Sequence, residues 1–361
     1  MIEKALKGNR SYWIWILFLG ALVAYGLSAY YQQRWLGLTV TGMGREASWG
    51  MYTAQFTFLV GVAASAVMVS LLHQKELTKT VIIALFMAAT ATLMSILFAV
   101  ADMGKPDRVL NIIFFPNLRS LFFWDLLFLS GYLATTITAG WAMLGAEKKG
   151  VPPPAWVKLL LNLSIPLAVG IFFATAFLFG GLPELSLWVT GVLALRFIAS
   201  AFAAGMALLI LVTLIVKKTT EFDTGKEARE RLAMVATYAG VANVLLLGVQ
   251  VFTTFYSNVP LLWFSLIAGV ISVAILLIPA SRQSQQWLVA GCTALVLSVW
   301  VDKSAGLLIG GELFPAPLGS IVTYAPTSTE MFVVAGIWSF GSLLFTALLK
   351  VVVAVKAEHK G

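Results

Sequence analysis

Residues that ligate metals are scarce in this chain of 361 residues, which contains one cysteine and two histidines. An iron–sulfur cluster held by a single chain needs about four cysteine ligands, and Cys292 supplies only one. His73 ends the second predicted span and His359 lies in the C-terminal tail, so their imidazoles do not meet at one membrane depth. We therefore expect no haem, no iron–sulfur cluster and no other metal site formed by this chain alone.

The chain also lacks the sequence motifs of nucleotide-driven and soluble-substrate enzymes. It contains no Walker sequence, no glycine-rich dinucleotide fingerprint and no HExxH motif. Charged residues make up 11% of the sequence, about half the fraction typical of globular proteins. These absences argue against ATP-driven work and against chemistry on soluble substrates at the inner face.

Apolar sequence is abundant: 60% of the residues are hydrophobic and the mean hydropathy is +0.92. Repeated apolar runs of about 18 residues or more are typical of membrane-spanning helices. We predict an all-α, polytopic membrane protein in which residues 1–361 form a single membrane domain. The ten predicted spans are residues 11–33, 49–73, 78–101, 120–145, 156–179, 185–216, 232–256, 261–279, 286–301 and 330–355.

Lysine and arginine are distributed unevenly between the two sides of these spans. With a cytoplasmic N-terminus, seventeen of them lie inside and six lie outside, as the positive-inside rule requires. We predict a multi-pass protein of the cell membrane with both termini cytoplasmic. The net charge of +8 then reflects topology rather than nucleic-acid binding. The glycine- and proline-rich segment 302–329 is expected to form a cap on the outer face.

A polar island interrupts the apolar sequence between the third and fourth spans, on the predicted outer side. Charged side chains near a bilayer mark function unless they are paired or hydrated. The island comprises Ala101-Asp102-Met103-Gly104-Lys105-Pro106-Asp107-Arg108, Pro116-Asn117-Leu118-Arg119-Ser120 and Trp124-Asp125.

Five polar residues of the spans fall in the outer half of the predicted membrane, where we expect them to converge on one site. A buried carboxylate there would exchange protons with a lipophilic substrate. The alternatives are purely structural roles: an Arg196–Asp125 ion pair, a local Asp107–Arg108 pair and a place for Trp124 in the interfacial aromatic belt. The five residues are Tyr52, Gln55, Asp102, Asp125 and Arg196.

A second set of polar residues lies in the inner half of the predicted membrane. Their hydroxyls and amides suit either a proton-conducting water chain or ordinary hydrogen bonds between packed helices, and we favour the hydrogen bonds. The set comprises Tyr132, Thr135, Thr136, Thr138, Asn162, Ser164, Tyr238, Asn243 and Gln250. Runs of small residues in the second and sixth spans, around Gly61 and Gly205, predict close helix packing.

The island resembles the outer loop of the NrfD/polysulfide-reductase membrane subunit family. That loop typically reads Leu-Gly-Arg-Pro-x-Arg, then Asn-Pro-Arg-Ser, then Trp-Asp. Here the corresponding segments are Met103–Arg108, Asn117–Ser120 and Trp124-Asp125, with Lys105 for the usual Arg and Leu118 for the usual Pro. The start of the second span, Trp49-Gly50-x-Tyr52, is also similar to the family.

The resemblance implies two four-helix bundles, at about residues 49–180 and 185–301, flanked by the first and tenth helices. Family members exchange electrons between menaquinone or another quinone and a ferredoxin-like iron–sulfur subunit on the outer face. Cytochrome or catalytic subunits complete such complexes. The helix count is most similar to the DsrP-, HmeB- and HybB-type members, with the DsrP type favoured, which implies anaerobic respiration and sulfur metabolism.

The resemblance also suggests roles for the predicted site residues. Tyr52, Gln55 and Asp102 would bind the quinone oxygens, and Asp125 and Arg196 would relay protons. The island residues Asp107, Arg108 and Trp124 would complete the quinone and docking surface. Two other functions stay open: a proton-coupled secondary transporter, and a purely structural membrane anchor.

Overall fold

The computed structural model describes residues 8–44, 49–71, 78–180, 192–220, 222–253, 260–306 and 324–357. Over these ranges the protein is helical, with no β-strand. Its ten long helices, in chain order, are α1 (Arg10–Leu36), α2 (Met51–Leu71), α3 (Thr78–Asp102), α4 (Leu121–Lys149), α5 (Ala155–Gly180), α6 (Val192–Thr219), α7 (Lys226–Thr253), α8 (Pro260–Leu277), α9 (Gln285–Val301) and α10 (Ser328–Ala357).

Length and hydropathy qualify eight of these described helices as membrane spans. The other two, α2 and α8, contribute shorter apolar stretches, Met51–Ala66 and Leu261–Leu277. The protein is therefore a multi-pass membrane protein, and its helices match the predicted spans closely. The predicted start of the sixth span at residue 185 lies outside the described residues, and so does most of the predicted cap, from residue 307 to 323.

Local sequence sets several helix ends. Asn9 caps α1 by accepting a hydrogen bond from the Tyr12 amide at 3.0 Å, and Ser120 caps α4 through the Phe123 amide at 3.4 Å. Side-chain oxygens at this position satisfy amides that lack a partner within the helix. Gly150 ends α4 in the left-handed conformation, with φ of 65°, which a glycine adopts without steric strain.

The helices pack as the two predicted four-helix bundles. In the first bundle α3 packs between α2 and α4, and α5 closes the ring against α2 and α4. In the second bundle α7 and α8 follow α6, and α9 closes the ring against α6 and α8. The bundles meet along α2 and α6. Because three spans, α3 to α5, lie between α2 and α6, these two helices run in the same direction and the two bundles have the same orientation in the membrane.

Small residues allow α2 and α6 to approach closely, as predicted. A Cβ atom added at Gly205 would lie 1.8 Å from the Ser65 hydroxyl oxygen, and one at Gly61 would lie 3.2 Å from the Ala201 Cβ. Side chains larger than these would separate the helices. Van der Waals contact between small residues is the usual basis of helix association in membranes, where lipid removes the hydrophobic driving force.

The two flanking helices lie on one side of the molecule. α1 and α10 pack against each other, and α10 also packs on α3. The contact between them is backbone to backbone, because a Cβ at Gly26 would lie 2.5 Å from the Gly336 Cα. The first bundle is therefore a six-helix assembly, and α3 is the most deeply enclosed of the eight spans, with 83% of its apolar window buried.

Candidate functional site

Polar side chains collect where α3 and α9 end and where α2, α6 and α10 begin, a level that we call the Asp102 end. One of them, Gln33 of α1, donates from Nε2 to the Ala101 carbonyl at 2.8 Å. That carbonyl belongs to the last turn of α3, where no backbone partner within the helix is available. The Gln33 Oε1 accepts from the Tyr52 hydroxyl at 2.5 Å. Both side chains are buried, so they join α1, α2 and α3.

Asp102 is the last residue of α3, and it contacts Thr53, the residue that follows Tyr52 in α2. Its Oδ2 accepts a hydrogen bond from the Thr53 hydroxyl at 3.2 Å. Its Oδ1 is buried and has no hydrogen-bond partner among the described residues. A buried polar atom without a partner is uncommon in folded proteins and calls for a ligand, a water molecule or a proton. Tyr52 and Asp102 thus form one end of the predicted site.

The carboxylate of Glu330, which sequence reasoning missed, is fully buried beside them. Its Oε2 accepts from the Gly42 amide at 2.8 Å and the Thr327 amide at 2.9 Å, and its Oε1 accepts from the Tyr324 hydroxyl at 2.7 Å. Tyr324 in turn accepts from the Met51 amide at 2.8 Å. Glu330 therefore fixes the start of α10 to the start of α2.

A sequence signal for Glu330 exists. Thr327-Ser-Thr-Glu330 has the spacing of a capping box, in which the side chains of the first and fourth residues each accept from the other's amide. The structure has both bonds, at 2.9 Å and 3.4 Å. The motif predicts a helix start, and the additional partners of the carboxylate come only from the folded chain.

Gln55 lies one turn along α2 from Tyr52 but has different partners. Its Oε1 accepts hydrogen bonds from the indoles of Trp300 and Trp338, both at 3.0 Å. These tryptophans belong to α9 and α10, so this buried amide connects both bundles with a flanking helix. Its oxygen is fully used, and its Nε2 faces the Met51 sulfur at 3.7 Å.

Asp125 is buried in the second turn of α4, at the depth predicted from the sequence. Its Oδ1 accepts from the Thr175 hydroxyl of α5 at 3.0 Å. Arg196 does not pair with it. The arginine instead forms a buried ion pair with Asp302, the residue that follows α9. Lys303 is also buried, with its Nζ 3.9 Å from the second Asp302 oxygen and 3.6 Å from the centre of the Phe197 ring.

Arg196 lies in the second turn of the described part of α6 and is level with the end of α9, which Asp302 follows. The sequence placed it near the middle of a span beginning at residue 185, and that start lies outside the described residues. We call Arg196, Asp302 and Lys303 the basic cluster. The sequence assigned Lys303 to the segment 302–329 on the outer side. In the structure, residues 302–306 continue α9 as a π-helical turn that packs on α2, α8 and α9, and Lys303 is buried. The residues predicted to converge thus separate into four groups of contacts, centred on Asp102, Gln55, Asp125 and Arg196.

The island itself is largely exposed. Asp107 pairs with Arg34 of α1, at 2.7 Å and 2.9 Å from its two oxygens, and not with Arg108. Arg108 is exposed. Trp124 donates from its indole to the Leu118 carbonyl at 2.9 Å and is partly exposed. These three residues shape the surface above the Asp102 end, and the Arg34–Asp107 pair holds that surface to α1.

The inner polar residues mostly bond within their own helices. Thr135 and Thr136 donate to the Tyr132 carbonyl, and Ser164 donates to the Leu161 carbonyl. Tyr132 makes an interhelical bond, to the Ala63 carbonyl of α2 at 2.9 Å. Two further members of the set, Asn162 and Tyr238, are exposed, and the buried Asn243 amide has no hydrogen-bond partner among the described residues.

Comparison with known proteins identifies the family. Residues 39–316 match the family model described as Polysulphide reductase, NrfD. The chain belongs to the NrfD family. The matched region contains α2 to α9, and hence both bundles, the island and the basic cluster. It excludes Gln33 of α1 and Glu330 of α10, which both contribute to the Asp102 end.

Three curated relatives are similar to this NrfD chain. A putative dimethyl sulfoxide reductase membrane subunit of Halobacterium salinarum is 24% identical, over 93% of this chain and 90% of that protein. An Hdr-like menaquinol oxidoreductase integral membrane subunit of Archaeoglobus fulgidus is 23% identical, over 96% and 95%. A selenate reductase subunit of Mesobacillus selenatarsenatis is 22% identical, over 55% of each chain.

Proposed function

We propose that this chain is the quinone-interacting membrane subunit of a respiratory redox complex. It would exchange electrons between menaquinone or another quinone and an iron–sulfur subunit docked on the predicted outer face. The family supports the membrane-subunit role. One relative is named as a menaquinol oxidoreductase subunit and two as subunits of reductases. The direction of electron flow depends on partners outside this chain.

The observation that carries the proposal is the unpartnered Oδ1 of Asp102. A reduced quinone has two hydroxyl groups, and an oxidised one has two carbonyl oxygens, so either form complements a carboxyl group that can accept or donate a hydrogen bond. Reduction of a quinone takes up two electrons and two protons, and oxidation of the quinol releases them. Asp102 would take or give one proton, held in place by Thr53 through its other oxygen.

Tyr52 would bind the same ligand through its hydroxyl oxygen, whose own proton is committed to Gln33. The Gln55 amide offers only its Nε2, because its oxygen is saturated by the two indoles. We assign Asp107, Arg108 and Trp124 to the entrance and docking surface above. Asp125 would exchange protons with the interior. Arg196 stays charged at any physiological pH, so its contribution is electrostatic.

Further parts of the proposal concern the membrane orientation of the chain and its partner subunits. The chain would lie in the cell membrane with both termini cytoplasmic, beside a ferredoxin-like subunit and a cytochrome or catalytic subunit. Proton translocation and a DsrP-type assembly in sulfur metabolism are finer proposals of the same kind. They rest on the resemblance of the island and on the helix count.

Purification of the complex from native membranes in mild detergent tests the function. Mass spectrometry of the co-eluting proteins and lipids is expected to find an iron–sulfur subunit and about one quinone per chain. An iron–sulfur subunit without quinone, and no effect of quinone-site inhibitors, would favour a structural anchor. A chain that elutes alone and supports uptake in proteoliposomes would favour a transporter.

A further inference from the structure

The basic cluster has an excess of positive charge in a buried place. Arg196, Asp302 and Lys303 are 1%, 0% and 3% exposed. Two cationic side chains face one carboxylate, and among the described residues no second acid contacts either of them. A buried charge without a partner destabilises the folded protein by several kcal/mol unless an opposite charge neutralises it.

Loss of a proton from Lys303 would still leave buried N–H donors of Arg196 without acceptors. The Nε and Nη1 atoms of Arg196 are buried without an acceptor among the described residues, and its guanidinium keeps all five N–H donors in a protein. Asp302 is engaged on the other side of the group. The arginine therefore needs a further acceptor whatever the charge of the lysine.

The Lys303 ammonium group adds further hydrogen-bond donors to the basic cluster. Within the described ranges its Nζ has no hydrogen-bond partner, and it lies over the Phe197 ring, a position that favours a charged ammonium. The Asp302 Oδ2 lies 3.9 Å away, beyond hydrogen-bond length. The atoms of the cluster without a hydrogen bond are thus donors of two cations and both oxygens of Asp302, and the charges among the described residues sum to one positive unit.

We propose that Arg196 and Lys303 form a binding site for one singly charged oxyanion, a carboxylate or a phosphate ester, with Asp302 fixing the arginine. Such a group would balance the charge and accept from both cations. It is either a free ion or the phosphate of a lipid headgroup, since the cluster lies near the ends of α6 and α9. This site is separate from the Asp102 contacts and does not depend on quinone binding.

Thermal unfolding of the purified full-length chain provides the test. The single cysteine, Cys292, lies fully buried in α9, so a thiol-reactive fluorogenic dye reports the opening of the second bundle. The midpoint is measured in sodium formate and, at equal ionic strength, in sodium gluconate, whose much bulkier anion enters a buried site less readily than formate. We expect formate to raise the wild-type midpoint saturably, by about 2 °C or more.

Two charge variants give opposite expectations. Lys303→Gln removes the excess positive charge and the lysine donors but leaves the unpartnered Arg196 donors, so the formate effect should become clearly smaller and the midpoint in gluconate should not fall. Asp302→Asn raises the excess charge, so the formate effect should grow. The exposed Lys158→Gln is the matched control and should respond as wild type. Equal formate effects in wild type and Lys303→Gln would overturn the proposal.

A lipid environment separates the two sources of the oxyanion. A formate effect that persists in phosphatidylcholine nanodiscs indicates a free ion, and one confined to delipidated detergent samples indicates a headgroup phosphate. Absence of the effect in both would overturn the proposal, because a water molecule then satisfies Arg196. If Lys303→Gln does not accumulate, wild-type crystals soaked in bromide decide by anomalous diffraction: bromide at Arg196 supports the site, and its absence overturns it.

Discussion

The two bundles carry opposite chemistry at the same end of the molecule. At the Asp102 end, two acids, Asp102 of the first bundle and Glu330 of the flanking helix α10, accept hydrogen bonds from neutral donors, and one carboxylate oxygen is unsatisfied. In the second bundle, two bases face one acid, and the atoms without a hydrogen bond are three nitrogens of the bases and both oxygens of Asp302. The first arrangement suits a ligand that brings protons, and the second suits a ligand that brings negative charge.

The comparison also separates two ways of building a site. The basic cluster lies wholly within the region that matches the family model, whereas the Asp102 end is completed by Gln33 and Glu330 from outside it. The flanking helices therefore do more than enclose the first bundle. They supply the side chains that fix Tyr52 and the start of α2.

Replacement of Asp102 has the largest expected effect. Asp102→Asn keeps the size of the side chain but removes its proton chemistry, so quinone-linked turnover should fall by about 100-fold or more while the complex still assembles. We expect a comparable loss for Asp125→Asn. Turnover is measured with the purified complex and a soluble quinol, and Asp223→Asn, at the opposite end, is the control. Normal turnover in both Asn variants would remove these carboxylates from the mechanism.

Glu330→Ala should give the next largest effect, on stability rather than on the reaction. It leaves the Gly42 and Thr327 amides and the Tyr324 hydroxyl without their acceptor, which should lower the free energy of unfolding by about 3 kcal/mol or more. Chemical denaturation followed by tryptophan fluorescence measures the change. Tyr324→Phe removes one of these bonds and should be milder. If the two variants are equally stable, Glu330 does not anchor α10.

Helix number and helix bounds were predictable because apolar runs of membrane length report them directly, whereas the bundle arrangement was implied by the resemblance of the island to the family. The partners of buried charges were not. The sequence offered Asp125 as the partner of Arg196, and Asp302 was assigned to the outer cap because glycine and proline follow it. A lysine such as Lys303 is expected in water at a helix end, and only the packing of the residues 302–306 on α2 encloses it.

Gln55→Leu tests whether the hydrogen bonds of Gln55 stabilise the contact between the two bundles. The leucine preserves bulk but leaves the indole N–H groups of Trp300 and Trp338 without their acceptor, so we expect a loss of about 2 kcal/mol in the free energy of unfolding. Gln55→Glu is the matched variant, since it keeps an acceptor oxygen for both indoles. Denaturation curves of the two variants distinguish them, and equal curves would mean that the indole bonds contribute little.

The smallest effect is expected at Asp223. This aspartate also faces one lysine and one arginine, as Asp302 does in the basic cluster, but it is exposed to solvent. Asp223 faces Lys217 at 2.7 Å and also pairs with Arg229, but it is 39% exposed. Water and salt screen the excess charge there, so no ligand is required.

Partial burial tends to raise the pKa of Asp223, but hydrogen bonds from Lys217, Arg229 and the Gly225 amide outweigh it and hold that pKa below its usual range. A lowered folded-state pKa contributes stability above the unfolded value of about 3.9, and that stability is lost as the pH falls through the folded value. Asp223→Asn should therefore lower stability at pH 7 by less than about 1 kcal/mol, given its exposure. The difference from wild type should shrink below pH 4, as circular dichroism melts at pH 7, 5 and 3 would measure. A difference that stays constant across this range would mean that the charge of Asp223 is not what stabilises the loop, and the contrast with Asp302 would then rest on packing instead of solvation.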